Sequence, residues 1–234
     1  MLGLNFPRQK MVINPDLPVE IVRTNRRKTI AIKVMDGTVR VLAPKRVSVR
    51  RLQHVVQQKM PWILGKLRLQ SESPVVEPKA YVTGENFVYL GKRYRLEVSA
   101  PTGQGAALHH GCFWVEDSLP VSVQLHEWYQ RNAEKQLSAR TAHYARLMGV
   151  VPRSVVVKQY KSRWGSCSVM GDIAYNWQII IAPSAVVDYV VVHELCHLRQ
   201  HNHSPRFWQA VADILPNYRD NRQWLKTHGH TLVV

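Results

Sequence analysis

The chain has 234 residues, 45% of them hydrophobic, enough to bury one core or two modest ones. Its 32 Lys and Arg face 16 Asp and Glu, a formal net charge of +16 with histidine neutral, which favours polyanionic partners, nucleic acid above all. No window of about 20 apolar residues occurs, so no membrane-spanning helix is expected, and three cysteines (Cys112, Cys167, Cys196) matching no zinc-finger spacing are expected as free thiols in a reducing compartment.

Residues 1–18 carry Pro7, Pro15 and Pro18 and no apolar run of signal-peptide length, so they are expected as a loose arm on a cytoplasmic protein. Short strands follow at Val19–Val22, Thr29–Val34 and Val39–Ala43. Asn25-Arg26-Arg27 lies between the first two, and Asp36-Gly37 turns between the last two. Ser48 caps a helix with apolar positions at Leu52, Val55, Val56, Trp62 and Ile63, which Pro61 should divide near Met60. Polar loops at 71–78 and 100–105 bracket two strands, Asn86–Leu90 and Arg93–Val98, joined across Gly91-Lys92. A further strand is expected near Phe113–Val115. Pro120 then opens a long helix whose inward face runs from Leu125, Trp128 and Tyr129 through Ala133 and Leu137 to Tyr144 and Leu147, with Gly149 closing it. His109-His110 and His228-Gly229-His230 read as exposed, mobile histidines.

Val155–Lys158, Trp164–Ser168 and Ile173–Ile181 read as a small antiparallel sheet, its last strand an edge to which an extended peptide can add, or else a covered core strand. Pro183 starts a helix running into Val190-Val191-Val192-His193-Glu194-Leu195-Cys196-His197. Four helical residues turn through about 400° and rise about 6 Å, so His193 and His197 stack on one face, where two neutral imidazoles can hold zinc. Glu194 sits beside them, placed to take a proton from a metal-bound water. A catalytic zinc needs a third protein ligand. No glutamate occurs after Glu194. His203 has the spacing of HExxHxxGxxH, with Gln200 in place of the glycine and Asn202 as the residue at which the helix would end and swing back. His201, Asp213, Asp220, His228 and His230 are the other candidates. A last helix from Ser204-Pro205 points Phe207, Trp208, Val211, Ala212 and Leu215 inward.

Arg163-Trp164-Gly165-Ser166-Cys167-Ser168, Asn176-Trp177 with Ala182-Pro183, Asp188–His197, Asn202-His203-Ser204 with Phe207-Trp208, and Trp224-Leu225 together closely resemble the YgjP-like family of zinc metallopeptidases, relatives of the SprT-like proteases. Arg26-Arg27-Lys28, Ala43-Pro44 and Tyr81 with Gly84 extend the likeness more loosely toward the N-terminus. The resemblance implies zinc ligation by His193, His197 and His203 and a catalytic Glu194, with no departure at these positions. The expected architecture is α+β. A loose arm (1–18) and a basic, β-rich region (19–119) precede a zincin-like part (120–234) built of long helix, small sheet, HExxH helix and final helix.

The chemistry expected is hydrolysis of a polypeptide, with zinc as cofactor and Glu194 as general base. Arg163, Tyr175 and Asn176 are the candidate substrate-binding residues, and His201 or Tyr218 further donors to a developing oxyanion. The same metal site could instead split a nucleotide phosphoanhydride, although no glycine-rich phosphate loop is present. Residues 23–51 hold ten Lys and Arg against one acid, Asp36, so nucleic-acid binding there, with or without proteolysis, is a third reading.

Overall fold

In a computed structural model of the protein, residues 8–14, 17–25, 29–35, 37–71, 78–100 and 105–234 are described. Arg26-Arg27-Lys28, Asp36 and most of the loops at 71–78 and 100–105 lie outside them. The fold is α+β, and it divides into two units, Met1–Pro74 and Val75–Val234.

In the first unit, strands β1 (Arg8–Asn14), β2 (Leu17–Thr24), β3 (Ala31–Met35) and β4 (Thr38–Pro44) form one sheet in the order β1-β2-β4-β3, with β2 and β4 parallel. Arg8–Asn14, within the stretch expected as a loose arm, thus form an antiparallel partner for β2. Alternation drives the burial: Val19, Ile21, Val39, Val41 and Ala43 point one way into the core, while Glu20 and Arg40 point the other way and pair at 2.8 Å. Helices α1 (Val49–Gln58) and α2 (Met60–Ser71) cover that core with Leu52, Val56 and Ile63. Pro61 does divide the helical stretch, as the second residue of α2, where a missing N–H has no partner to lose.

The second unit opens with strands β5 (Asn86–Tyr89), β6 (Lys92–Ser99), β7 (Ala107–His109) and β8 (Cys112–Glu116), ordered β5-β6-β8-β7. His109 therefore ends a strand and stacks on Trp114 at 5.4 Å. Helix α3 (Val121–Met148) follows and stops at Gly149, whose φ of 62° suits a residue without a side chain. Leu147 points outward at 61% exposed, against the expectation from periodicity. Strands β9 (Ser154–Lys158), β10 (Gly165–Cys167) and β11 (Asp172–Asn176) make a three-stranded sheet in the order β10-β11-β9. It is mixed rather than antiparallel, since β11 runs parallel to β9. Helices α4 (Ser184–Cys196), α5 (Pro205–Ile214) and α6 (Tyr218–His228) complete the chain.

The boundary expected near residue 119 cuts through one continuous core. Phe87, Leu96 and Phe113 from the β5–β8 sheet share a cluster with Leu125, Tyr129, Ile179, Val191 and Phe207. The β5–β6 turn is also bonded directly to the segment before α4: Leu90 N donates to Ile180 O at 2.7 Å and Gly91 N to Ile181 O at 3.2 Å. Gly91 has φ +77°, and a Cβ there would stand 2.8 Å from the Pro183 Cα, so only glycine allows this approach. The second sheet is thus a buttress for α4.

Two further differences bear on the site. The strand expected to reach Ile181 stops at Asn176, whose Oδ1 accepts from Gln178 N at 3.3 Å and starts a 3-10 turn over Trp177–Ile181. A continuous apolar run has no period to tell strand from buried turn. β11 is also central, and the edges of its sheet among the described residues are β10 and β9.

Candidate metal centre

Helix α4 is apolar almost all round, with Val186, Val187, Val190, Val191, Val192 and Leu195 buried, and it runs through the middle of the second unit's core. Rigid packing of that kind fixes where His193 points. His197 is the cap residue at the end of the helix, and its Nδ1 lies 2.9 Å from Gln200 O. That bond orients the ring and leaves Nε2 free, the arrangement common to metal-bound imidazoles.

The chain then reverses earlier than its sequence suggests. The helix does not continue to Asn202. It ends at Cys196, and tight turns follow in which Leu198 N bonds Leu195 O and Arg199 N bonds Cys196 O, both at 3.1 Å. None of the described residues between 197 and 203 has a positive φ. Asn202 contributes through its side chain instead, accepting from Ser204 N at 3.3 Å. Ser204 Oγ accepts from Phe207 N at 3.4 Å and starts α5.

This route brings His203 back to α4. Its Nε2 lies 3.1 Å from that of His193, and one ring nitrogen from each of His193, His197 and His203 falls within 4.8 Å of the others. Two donors about 2.0–2.1 Å from one tetrahedral ion stand roughly 3.4 Å apart, so the cluster has the dimensions of a shared ligand set. Three imidazoles without a thiolate or carboxylate suit zinc and the later first-row metals. Burial, and then the neighbouring imidazoles and Arg222, lower the His193 pKa to about 3, and burial lowers that of His197 as well. Both rings stay neutral near pH 7, as metal binding requires. Among the described residues His193 Nδ1 has no hydrogen-bond partner, and the ring is held by packing, with Phe207 at 4.9 Å and Trp208 at 5.8 Å. His201, Asp213, Asp220, His228 and His230 do not join the cluster.

Glu194 is 6% exposed, and burial pushes its carboxyl up to about 8, with the charge of Arg163 opposing. Gly165 on β10 makes room for it. A Cβ at that position would lie 2.5 Å from Glu194 Oε1 and 2.6 Å from its Cγ. The sequence offers Gly165 only as one letter of a motif; its reason is this contact. Arg163 is exposed, with its guanidinium 5.6 Å from the Tyr160 ring. Tyr175 and Asn176 are placed differently from the substrate-binding role expected of them. Tyr175 is wholly buried with its hydroxyl bonded to Thr141, and Asn176 is 3% exposed with its amide committed to Tyr160 O and the following turn.

Beside the histidines lies a groove of about 670 Å³ between α5 and α6, walled by Trp208, Tyr218, Arg219 and Arg222. Trp208 stacks on His203 at 5.5 Å and on Tyr218 at 5.5 Å.

The model of the YgjP-like metallopeptidase domain matches residues 28–228. Among solved structures, the metallopeptidase zymogen of Pyrococcus abyssi abylysin is similar over 39% of this chain and 92% of its own, at 21% identity and a TM-score of 0.37. A search of curated proteins found no match. With three histidines positioned to bind a metal inside a match that spans most of its length, the chain belongs to the YgjP-like metallopeptidase family and is a metal-dependent peptidase.

Proposed function

We propose that the chain hydrolyses peptide bonds with zinc held by His193, His197 and His203 and with Glu194 as general base. The observation that carries this reading is a buried carboxyl one residue from a convergent set of three imidazoles. Zinc bound there would supply Lewis acidity, polarising a carbonyl and bringing the pKa of a bound water from 15.7 toward about 7. Glu194 accepts a proton from the attacking water at its carboxylate and returns it to the amide nitrogen as the C–N bond breaks. Such a step contributes about 10²–10⁴-fold. Its burial against Gly165 keeps the carboxylate from turning away. Arg163, exposed yet close enough for its charge to be felt at Glu194, is the side chain we assign to substrate contact.

Of the two edge strands, β10 is the one that packs against Glu194, and it supplies a place for the peptide. Its pairing with β11 runs through Ser166, with Trp164 O and Ser168 N bonded on either side, so the backbone groups of Gly165 and Cys167 face outward. An extended substrate can add there as a further strand, directly beside Glu194. The test is metal content together with hydrolysis of unfolded casein by wild type and Glu194→Gln. Equal rates in the two proteins would remove Glu194 from the chemistry.

A second capacity, binding of nucleic acid by the first unit, is favoured by charge. Residues 37–71 contain no Asp or Glu and expose Lys45, Arg46, Arg50, Arg51, Lys59 and Lys66. Contacts to phosphate make log K fall with log salt by about 0.9 per phosphate on duplex DNA. Replacing Arg50 and Arg51 by alanine should flatten that slope by about 2 units, and a slope near zero in the unaltered protein excludes this interface.

A further inference from the structure

We infer that the groove between α5 and α6 is a substrate subsite that takes a peptide carboxylate, with Arg222 as its anchor. The inference rests on the peptidase reading and adds to it a substrate preference.

Four observations meet in this groove. Arg222 lies over the Trp208 ring, 4.4 Å from its centroid, and Arg219 lies over Tyr218 at 5.9 Å. Both guanidiniums are exposed, and among the described residues no carboxylate stands within ion-pair distance of either. The aromatic pair beneath them is rigid, with Tyr218 buried and Trp208 stacked between it and His203. Trp208, over which Arg222 lies, is also 5.8 Å from the His193 ring, which places the arginine beside the histidine cluster rather than on a remote face.

The chemistry of the ligand follows. A planar guanidinium presents paired N–H donors that match a carboxylate, and stacking on Trp208 fixes its plane before the ligand arrives. Carboxylates are the anions that an unmodified polypeptide carries. The flat walls of Trp208 and Tyr218 accept the methylenes that lead to one. Going from the His203 ring through Trp208 to the guanidinium spans no more than about 10 Å, and an extended chain covers roughly 3.3 Å per residue. The recognised carboxylate therefore belongs within about three residues of the scissile bond. It is either a Glu or Asp side chain or the peptide's own C-terminus.

The experiment uses the zinc-loaded full chain carrying Glu194→Gln, so that peptides bind without being cut. Fluorescein-labelled decapeptides in which one glutamate moves along a Gly-Ser-Ala background, each beside its glutamine twin and with free or amidated C-terminus, are titrated by anisotropy. Glutamate at one or two adjacent positions should bind about 10-fold tighter than glutamine. If the C-terminal carboxylate is the ligand, amidation instead produces that loss and the internal position is indifferent. Adding Arg222→Ala should abolish the positional gain, Arg222→Lys should restore part of it, and Lys226→Ala, a cation on the same helix outside the groove, should leave it intact. A gain that is equal at every position reflects only the net charge of +16 and overturns the subsite, as does a gain that survives Arg222→Ala. Cleavage of the same peptides by the wild type separates the two claims. Positional binding without cleavage sinks the peptidase reading alone, and cleavage without positional preference sinks the subsite alone.

Discussion

Val19, Ile21, Val41, Leu52, Val56 and Ile63 close the core of Met1–Pro74 without a polar side chain among them, whereas Val75–Val234 buries Glu116, Gln124, Thr141, Asn176 and Glu194. Four of those five have partners suited to structure. Gln124 Nε2 donates to Glu116 O at 2.6 Å and Leu119 O at 2.9 Å, Glu116 Oε1 accepts from Gly105 N at 3.1 Å, Thr141 bonds Tyr175, and Asn176 caps a turn. Glu194 makes no such bond among the described residues. A buried carboxyl without a partner costs stability, so the second unit gives up stability where the first does not. What differs between the units is a buried carboxyl with no hydrogen bond among the described residues, set beside a cluster of three histidines, and that is the mark of a site.

The glycines test this contrast most sharply. Gly165 of the second unit faces Glu194 at sub-contact distance for any added Cβ, while Gly65 of the first unit lies in α2 with nothing within 4 Å. Gly165→Ala should displace Glu194 and lower peptide hydrolysis by about 10²–10⁴-fold, the loss expected if Glu194 is the general base we propose, with far-UV circular dichroism retained. Full activity in that variant would mean that the close packing does not hold the carboxylate in place.

Metal removal comes next in size. Zinc at about 100 times its Kd should stabilise the folded protein by about 2.7 kcal/mol, read as the drop in urea midpoint on adding a chelator. His203→Ala should lose that increment. An unchanged chelator effect in His203→Ala would assign the metal to other residues. Smaller still is Gly65→Ala. Exchanging an open helical glycine for alanine should stabilise by about 0.5–1 kcal/mol and leave the chelator effect and the hydrolysis rate unchanged.

The legible parts of the molecule were those in which one local signal decides. The i, i+4 histidines, the Gly149 stop of α3 and the Pro61 division of α1 from α2 each depend on neighbours in sequence. The illegible parts depend on contacts across the fold. Nothing local to Asn86–Glu116 tells that this sheet leans on Ile180, Ile181 and Pro183, and a strand and a 3-10 turn are alike in Trp177–Ile181. His203 was identifiable by its spacing, but its route was not, because the turns at 197–200 use ordinary right-handed backbone. Arg222 carried no signal at all until α6 set it over Trp208.

The smallest expected effect concerns a charged cluster that ties the three-stranded sheet together. Asp172 opens β11 and accepts from Arg153 twice at 2.6 Å, from Ser154 Oγ at 2.7 Å and from Ser168 Oγ at 3.1 Å, so it joins β9 to the end of β10. These bonds, Arg153 first, hold its carboxyl below the usual carboxylate range. With the folded pKa depressed, the folded state gains over the unfolded one above the ordinary pKa of about 3.9, and the gain disappears as pH falls through the folded value. The urea midpoints of wild type and Asp172→Asn should therefore differ at pH 6 and converge as the pH falls through the lowered folded value. The difference should shrink in high salt, because the Arg153 side chain is 59% exposed and water screens the pair. A gap between the two proteins that persists to the lowest pH would show that Asp172 matters through packing, and that the charge on this part of the second unit is as incidental to stability as the exposed cations of the first.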